Sequence, residues 1–463
     1  MTPELISSST RRAVLGMGHT GRSVARFWKE QGVPFIAMDT RSDLSSNRAL
    51  KEELDGVETH FGDLDPRLMN QIDLMIASPG IAMDSPAITL AQAQGVEVRG
   101  DIDLFVAEAT RPVIGITGSN GKSSVTTFVG QLLTACGKRV AVGGNLGVPA
   151  LELLNETPDV YVLELSSFQL ERAGDLNLAV AIVLNLSPDH LDRHQTMPLY
   201  HLAKHRIFAG AKSVVANYRD SLTQPVGKSD VPWVLWRDNE PDLNQLGLRE
   251  QDGELWLYHG FEPLCPCSEI ALVGDHNIRN ALAALAVCHA LGIEYSDLVA
   301  GLKTLSGLAH RCEMILEHQH VRYVNDSKGT NVGASMAALE GLSKGKNVIL
   351  IAGGEGKGQS FKPLSKAIAA SCKHTILIGR DADKIEATLE PHVSRERACS
   401  MTEAVRRAVE WASEGDVVLL SPACASFDMF RDYQDRGTAF RDAVSDTKFI
   451  TSPSKSQFDI LSH

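Results

Sequence analysis

Short apolar runs recur along this chain, and most of them end in a cluster of glycine and small polar residues. In the first quarter Ala13-Val14-Leu15 runs into Gly16-Met17-Gly18-His19-Thr20-Gly21. Pro34 to Met38 runs into Asp39-Thr40-Arg41, and Asp73 to Ala77 into Ser78-Pro79-Gly80. The middle repeats the pattern. Val113 to Thr117 meets Gly118-Ser119-Asn120-Gly121-Lys122-Ser123, Val160 to Leu165 meets Ser166-Ser167-Phe168-Gln169, and Ala179 to Leu184 meets Asn185 to Asp192. Further on, Val321 to Val324, Val348 to Ala352, Thr375 to Ile378 and Val417 to Leu420 end at Asn325, Gly353, Gly379 and Ser421. Stretches with helical spacing lie between them, through Phe27 and Trp28, from Val125 to Leu133, from Tyr200 to Phe208 and from Ala281 to Leu291. Runs this short and apolar on both faces predict buried parallel strands, and their alternation with helices predicts an α/β fold with doubly wound sheets. In such sheets ligands bind outside the carboxyl ends of the strands, where the polar clusters fall. A chain of 463 residues is too long for one core. Three domains are expected, over 1–103, 104–307 and 308–463.

Two of the glycine turns carry a specific chemistry. Gly16 to Gly21 has G-x-G-x-x-G spacing after a strand, and Asp39 follows Gly21 by 18 residues. That is the layout of a Rossmann-like nucleotide site, which taken alone predicts a dinucleotide enzyme. Gly118 to Ser124 joins a strand to a helix, as in a P-loop ATPase-like domain. Backbone N–H groups there face an anion, Lys122 reaches terminal phosphates and Ser123 can hold Mg²⁺. The glycines at 115 and 118 depart from the strict phosphate-loop spacing, which would place its first glycine at Ile116.

Composition narrows the field. A hydrophobic content of 43% and a charged content of 22% describe an ordinary globular protein. The net charge of −12 argues against a nucleic-acid partner. The eight cysteines are scattered, with Cys265 and Cys267 the one close pair, so neither a zinc site nor a disulfide framework is expected and a reducing cytoplasm fits. No run reaches membrane-spanning length and the first residues lack a signal-peptide core. The tail from Ser452 is polar.

Glu164 ends one apolar strand and His190 follows another. Both can converge beside Ser123, where one carboxylate, one hydroxyl and one imidazole leave room for water and phosphate oxygens, as Mg²⁺ requires. Burial of the strand on both faces favours a functional Glu164. For His190 a loop cap and a metal ligand both stay open.

Six motifs in order then carry a resemblance. Thr117-Gly118-Ser119-Asn120-Gly121-Lys122-Ser123, Glu164-Leu165-Ser166-Ser167-Phe168-Gln169, Asp189-His190-Leu191-Asp192-Arg193, His276-Asn277-Ile278-Arg279-Asn280, His310-Arg311 and Asn325-Asp326-Ser327-Lys328-Gly329-Thr330-Asn331 resemble the motif set of the Mur ligases. The likeness runs from Ala13 to Ala443. Within that family the Glu164 motif, Gly353 to Lys357 and Ser421 to Ser426 are most similar to the members that add D-glutamate to UDP-N-acetylmuramoyl-L-alanine. The resemblance implies an ATP-dependent amide ligase of bacterial cell-wall synthesis, with ATP and two Mg²⁺ ions, acting as a cytoplasmic monomer.

It also implies residue roles. Gly118, Asn120, Gly121, Lys122, Ser123 and Ser124 would hold ATP phosphates. Asn277, Asn280, Arg311, Asp326 and Lys328 would hold the rest of the nucleotide. Ser123 and Glu164 would bind one metal ion and His190 a second, with Lys204 carried as a carbamate. His19, Thr20, Asp39, Thr40, Arg41, Ser78 and Gly80 would contact the uridine nucleotide and Asn145 the muramoyl part. Thr330, Lys357, Ser426 and Tyr433 would hold D-glutamate. His19 and Tyr433 depart from the leucine and phenylalanine frequent in the family, and Cys424 reads as packing rather than as a nucleophile.

Overall fold

The computed structural model describes residues 10–227, 230–270, 272 and 274–447. The polar tail lies outside them. Three sheets form, one per segment. The first joins β1 (Arg12–Leu15), β2 (Phe35–Asp39), β3 (Glu58–Phe61), β4 (Leu74–Ala77) and β5 (Glu97–Arg99) in the order β3-β2-β1-β4-β5. All its pairings are parallel. β3 and β5 are short edge strands without the apolar runs that mark the other three, which is why hydrophobicity alone misses them.

The second sheet has nine strands: β6 (Val113–Thr117), β7 (Val140–Gly144), β8 (Val160–Glu164), β9 (Val180–Val183), β10 (Val214–Asn217), β11 (Trp233–Trp236), β12 (Gln245–Gln251), β13 (Glu254–His259) and β14 (Glu262–Pro266). Their order is β14-β13-β12-β11-β10-β9-β6-β8-β7. β6 pairs with β8 on one side and β9 on the other, so the strand order reverses at the phosphate loop. The sheet is parallel through β11–β12 and ends in an antiparallel meander, β12-β13-β14, that the strand–helix alternation did not anticipate. Asp252 and Gly253, with φ of 53° and 81°, make the turn between β12 and β13. Asp-Gly is a strong hairpin signal in sequence.

The third sheet joins β15 (Glu313–His318), β16 (Val321–Asn325), β17 (Val348–Gly353), β18 (Cys372–Ile378), β19 (Arg395–Arg397) and β20 (Val417–Leu420) in the order β15-β16-β20-β17-β18-β19. Only β15 is antiparallel to its neighbour. Alternate residues face opposite cores. Val348 and Leu350 pack with Leu339, Leu364 and Ile368, while Ile349 and Ile351 pack with Ala404, Val405 and Phe440. Both faces are covered, as a doubly wound sheet demands.

The first two sheets and residues 279–305 form one compact unit, and the third sheet with residues 274–278 forms another. The helix expected to start at Ala281 begins at Asp275, so His276 and Asn277 are helical rather than part of the preceding loop. Among the described residues no helix is long and apolar enough to cross a membrane.

Candidate functional site

The phosphate loop is built by the strand that precedes it and the helix Lys122–Ala135 that follows. Gly121 precedes that helix at φ 83°, and a Cβ there would lie 2.7 Å from Asn280 Oδ1. Glycine is therefore needed twice over, for conformation and for the approach of Asn280. The loop is pinned from below: Ser119 N–H donates to Asn185 O at 2.9 Å and Asn120 N–H to Asn185 Oδ1 at 2.9 Å. Lys122 Nζ folds back on the carbonyls of Gly118 and Ser119, both at 2.9 Å. The first helical N–H groups have no intrahelical acceptor, which leaves donors for an anion.

Ser123 Oγ donates to Glu164 Oε2 at 2.5 Å, and Asn145 Nδ2 donates to Glu164 Oε1 at 2.6 Å. Glu164 is only 3% exposed. Parallel pairing of β8 with β6 and β7 puts all three residues at one sheet edge. Lys204, on the helix Met197–His205, is 1% exposed, with Nζ 3.3 Å from Thr117 Oγ1 and 4.9 Å from the Tyr200 ring centroid. Burial, reinforced by the Lys122 cation, drives its amine well below the ordinary lysine range, against the pull of Asp189 and Glu164. His190 sits at φ 53° at the head of a short helix, with its ring 4.8 Å from that of Phe168 and Nε2 3.6 Å from Asp189 Oδ2.

The donor set tests the implied metal. Among the described residues no three His, Cys, Asp or Glu side chains cluster as a metal site. The contacting hydroxyl of Ser123 and carboxylate of Glu164 are oxygen donors that suit Mg²⁺, which keeps waters and phosphate oxygens as partners. They do not suit a structural zinc.

In the same unit a cavity of about 630 Å³ opens at the carboxyl edge of the first sheet. His19, Thr20, Asp39, Thr40, Arg41, Ser78, Gly80 and Asn145, all singled out in the sequence, line it. Gly21 lets the helix press on the turn, since a Cβ would fall 1.8 Å from Gly16 O. Asp39 accepts hydrogen bonds from Met17 N–H at 2.7 Å, Arg41 N–H at 3.0 Å and the Arg41 guanidinium at 2.8 Å. Burial opposes its charge, yet these bonds prevail and hold the carboxyl below its usual value. Among the wall residues given no role from the sequence are Asp101, Phe168 and Gln169. Phe168 and Gln169 were in a quoted motif without a role, and no sequence signal marks Asp101.

The loop Ser78–Ile81 is held by arginines. Arg172 donates to the carbonyls of Ala77, Ser78 and Ile81 at 3.1, 2.9 and 2.7 Å, and Arg193 donates to Ile81 O at 2.8 Å.

In the second unit the carboxyl ends of β16, β20 and β17 are adjacent. Asp326 Oδ2 accepts from Ser421 Oγ at 2.7 Å and Oδ1 from Cys312 N–H at 3.3 Å, and burial raises this carboxyl to about 6. Lys328 Nζ lies 3.8 Å from the Tyr433 ring centroid, and Thr330 N–H donates to Lys328 O. A bridge between Glu355 and Ala425 joins the loops that carry Lys357 and Ser426. Arg436, fully buried, donates to Cys424 O at 3.0 Å and Ser327 O at 2.7 Å. Burial pushes the Cys424 thiol to about 12, which fits packing and not nucleophilic work. Arg311 precedes this cluster, Asn277 belongs to this unit, and Asn280 to the first.

Comparison with known proteins adds family likeness. Residues 10–100 match the N-terminal domain of MurD-like Mur ligases, 116–288 the Mur ligase middle domain, and 310–424 the Mur ligase glutamate ligase domain. The UDP-N-acetylmuramoylalanine--D-glutamate ligase of Pseudomonas aeruginosa is 48% identical over 96% of this chain and 99% of its own. The enzyme of that name from Acinetobacter baylyi is 47% identical over 94% and 98%. Among solved structures, a pseudomurein peptide ligase from Methanothermus fervidus superposes with a TM-score of 0.59 at 20% identity, covering 94% of this chain and 99% of its own. The UDP-N-acetylmuramate-alanine ligase of Thermotoga maritima does so with 0.58 at 19%, covering 95% and 99%. At those identities the likeness is one of fold.

Proposed function

The chain belongs to the Mur ligase family, ATP-dependent enzymes that add amino acids to peptidoglycan precursors, and we propose that it joins D-glutamate to UDP-N-acetylmuramoyl-L-alanine in the cytoplasm, as a monomer. The observation that carries this reading is the chain Ser123–Glu164–Asn145. It links the phosphate loop by hydrogen bonds to a wall of the cavity lined by Asp39, Arg41 and Ser78. An activating phosphate and the acid to be activated would thus meet at one sheet edge.

The chemistry follows from the poverty of a carboxylate as an acyl donor. The L-alanine carboxylate attacks the γ-phosphorus of ATP, ADP leaves, and an acyl phosphate forms. The D-glutamate amine then attacks the acyl carbon, a tetrahedral intermediate forms, and phosphate departs as the amide closes. Protein effort is mostly positioning and neutralisation of charge. Lys122, now resting on loop carbonyls, would turn to the terminal phosphates. Bound Mg²⁺ supplies charge neutralisation for phosphoryl transfer. Ser123 and Glu164 would hold one ion and His190 a second, with Lys204 as a carbamate organising it. Lys204, buried and biased toward its neutral amine, is suited to capture carbon dioxide with loss of a proton, which would turn a buried neutral amine into a buried anion.

Gly118, Asn120, Gly121 and Ser124 would cradle the phosphates. Asn277, Asn280, Arg311, Asp326 and Lys328 would serve the rest of ATP. Thr330, Lys357, Ser426 and Tyr433 would receive D-glutamate. His19, Thr20, Asp39, Thr40, Arg41, Ser78 and Gly80 would hold the uridine nucleotide, and Asn145 the muramoyl end. We propose domain divisions at 103/104 and 307/308.

Phosphate release tests the reading. It should require both the UDP-muramoyl substrate and an amino acid, and D-glutamate should outcompete L-alanine, L-lysine and diaminopimelate. Release without a muramoyl substrate, or preference for another amino acid, refutes it.

A further inference from the structure

Asp101 opens the helix Asp101–Glu108 directly after β5 and lines the cavity, yet its side chain is half unused. It is 3% exposed. Gln169 Nε2 donates to its Oδ2 at 3.2 Å, while Oδ1 is buried with no hydrogen-bond partner. The residue's own amide approaches the carboxyl, in a tight ring whose bent geometry weakens such a contact steeply. Arg172 is near, but its guanidinium donates to the loop carbonyls of residues 77–81 and to Glu171. A buried acceptor left unpaired is costly, and such groups concentrate at sites of function.

The ladder places this acid. Asp39 ends β2, Asp101 follows β5, and the order β2-β1-β4-β5 separates them by three strand spacings, about 14 Å. With the uridine end of the substrate at Asp39 and Arg41, an extended nucleoside diphosphate brings its sugar to the opposite wall, where Asp101 and Gln169 stand. This step rests on the nucleotide placement proposed above.

We propose that Asp101 is a specificity-determining residue that accepts a hydrogen bond from the amino-sugar part of the substrate, from its acetamido N–H or a ring hydroxyl, and that Gln169 orients it. Gln169 is itself held: Ser166 N–H and Ser166 Oγ both donate to its Oε1 at 3.1 Å. Its amide therefore faces Asp101 as donor, and Asp101 must offer Gln169 an oxygen.

That constraint makes Asp101→Asn informative. The asparagine oxygen stays with Gln169, so the NH₂ group replaces the free acceptor and opposes a ligand donor. Binding of UDP, UDP-glucose and UDP-N-acetylglucosamine is measured by calorimetry for both proteins, with KM for the full substrate and for ATP. The expected result is a loss of roughly 10- to 100-fold for the amino sugar and the full substrate. UDP and ATP should stay within about twofold. Loss for both sugars marks a hydroxyl as the donor, and loss for the N-acetyl sugar alone marks the acetamido group. Equal losses for UDP and the sugars, or none, overturn the inference. Should Asp101→Asn not fold, Gln169→Leu, which frees the carboxylate to turn, is read by the same ratio. If the wild type binds no UDP ligand, the functional reading fails; if it binds and the variant matches it, only the role of Asp101 fails.

Discussion

Glu164→Gln separates the chemistry of this site from its architecture. In the folded protein Glu164 accepts from Ser123 Oγ at 2.5 Å and from Asn145 Nδ2 at 2.6 Å. Glutamine can keep both contacts: its oxygen stays on the Asn145 amide, and its NH₂ donates to the serine oxygen, whose hydrogen turns away. What is lost is charge assistance, worth about 1 kcal/mol in stability per bond. In a unit of this size that is a fall of a few degrees in Tm. Turnover should suffer far more. A buried negative charge beside the proposed Mg²⁺ position is removed from a desolvated setting, and loss of one such preorganised group costs about 10²–10³ in kcat. The assay is ADP formation at saturating substrates, with Mg²⁺ titrated from limiting to excess and Tm measured in parallel. Turnover within about fivefold of wild type, with unchanged Mg²⁺ dependence, would refute the reasoning. So would a loss of activity that only mirrors a collapse in Tm.

Three other outcomes are expected. Lys204→Ala should lose most activity and regain part of it with added short carboxylic acids, and ¹³CO₂ should label the wild-type lysine; failure of both would remove the carbamate. Asp326→Asn should weaken ATP binding while stabilising the second unit. Burial raises this carboxyl to about 6, so the folded state holds a proton that the unfolded chain has lost between about pH 4 and 6. Its contribution is present below pH 4 and lost as pH rises through 6, up to about 3 kcal/mol. The Tm gain of the variant should therefore appear at pH 7.5 and vanish at pH 4, and a gain independent of pH would contradict this. Arg172→Met removes a buried guanidinium from the carbonyls of Ala77, Ser78 and Ile81 and leaves Ile81 O to Arg193 alone among the arginines, so KM for the UDP substrate should rise about tenfold with KM for ATP unchanged; equal changes in both would refute a local role.

Much of the site was legible because its chemistry is local. A glycine turn between a strand and a helix is written in consecutive residues, and Gly118 to Gly121 forms that turn between β6 and the helix Lys122–Ala135. The residues at the tips of β2 and β4 line one cavity because parallel strands present their carboxyl ends on one edge. Hairpins were harder. Asp252-Gly253 carries a turn signal that the strand–helix alternation passes over, and Gln319 and His320 turn β15 into β16 at φ 49° and 58° without a glycine. No local preference predicts that.

What the sequence alone determined is the alternation of strand and helix, the two glycine turns and the family, since apolar period, turn chemistry and motif order are written in consecutive residues. Only the tertiary structure decided that Lys204 is buried against Thr117 and Tyr200 within the influence of the Lys122 charge, that Asp101 Oδ1 is buried without a hydrogen-bond partner, and that arginines from the middle segment hold the loop at Ser78. Those facts depend on which side chains meet after sheets pack, and desolvation, which sets the charge of a lysine or an acid, exists only once they do.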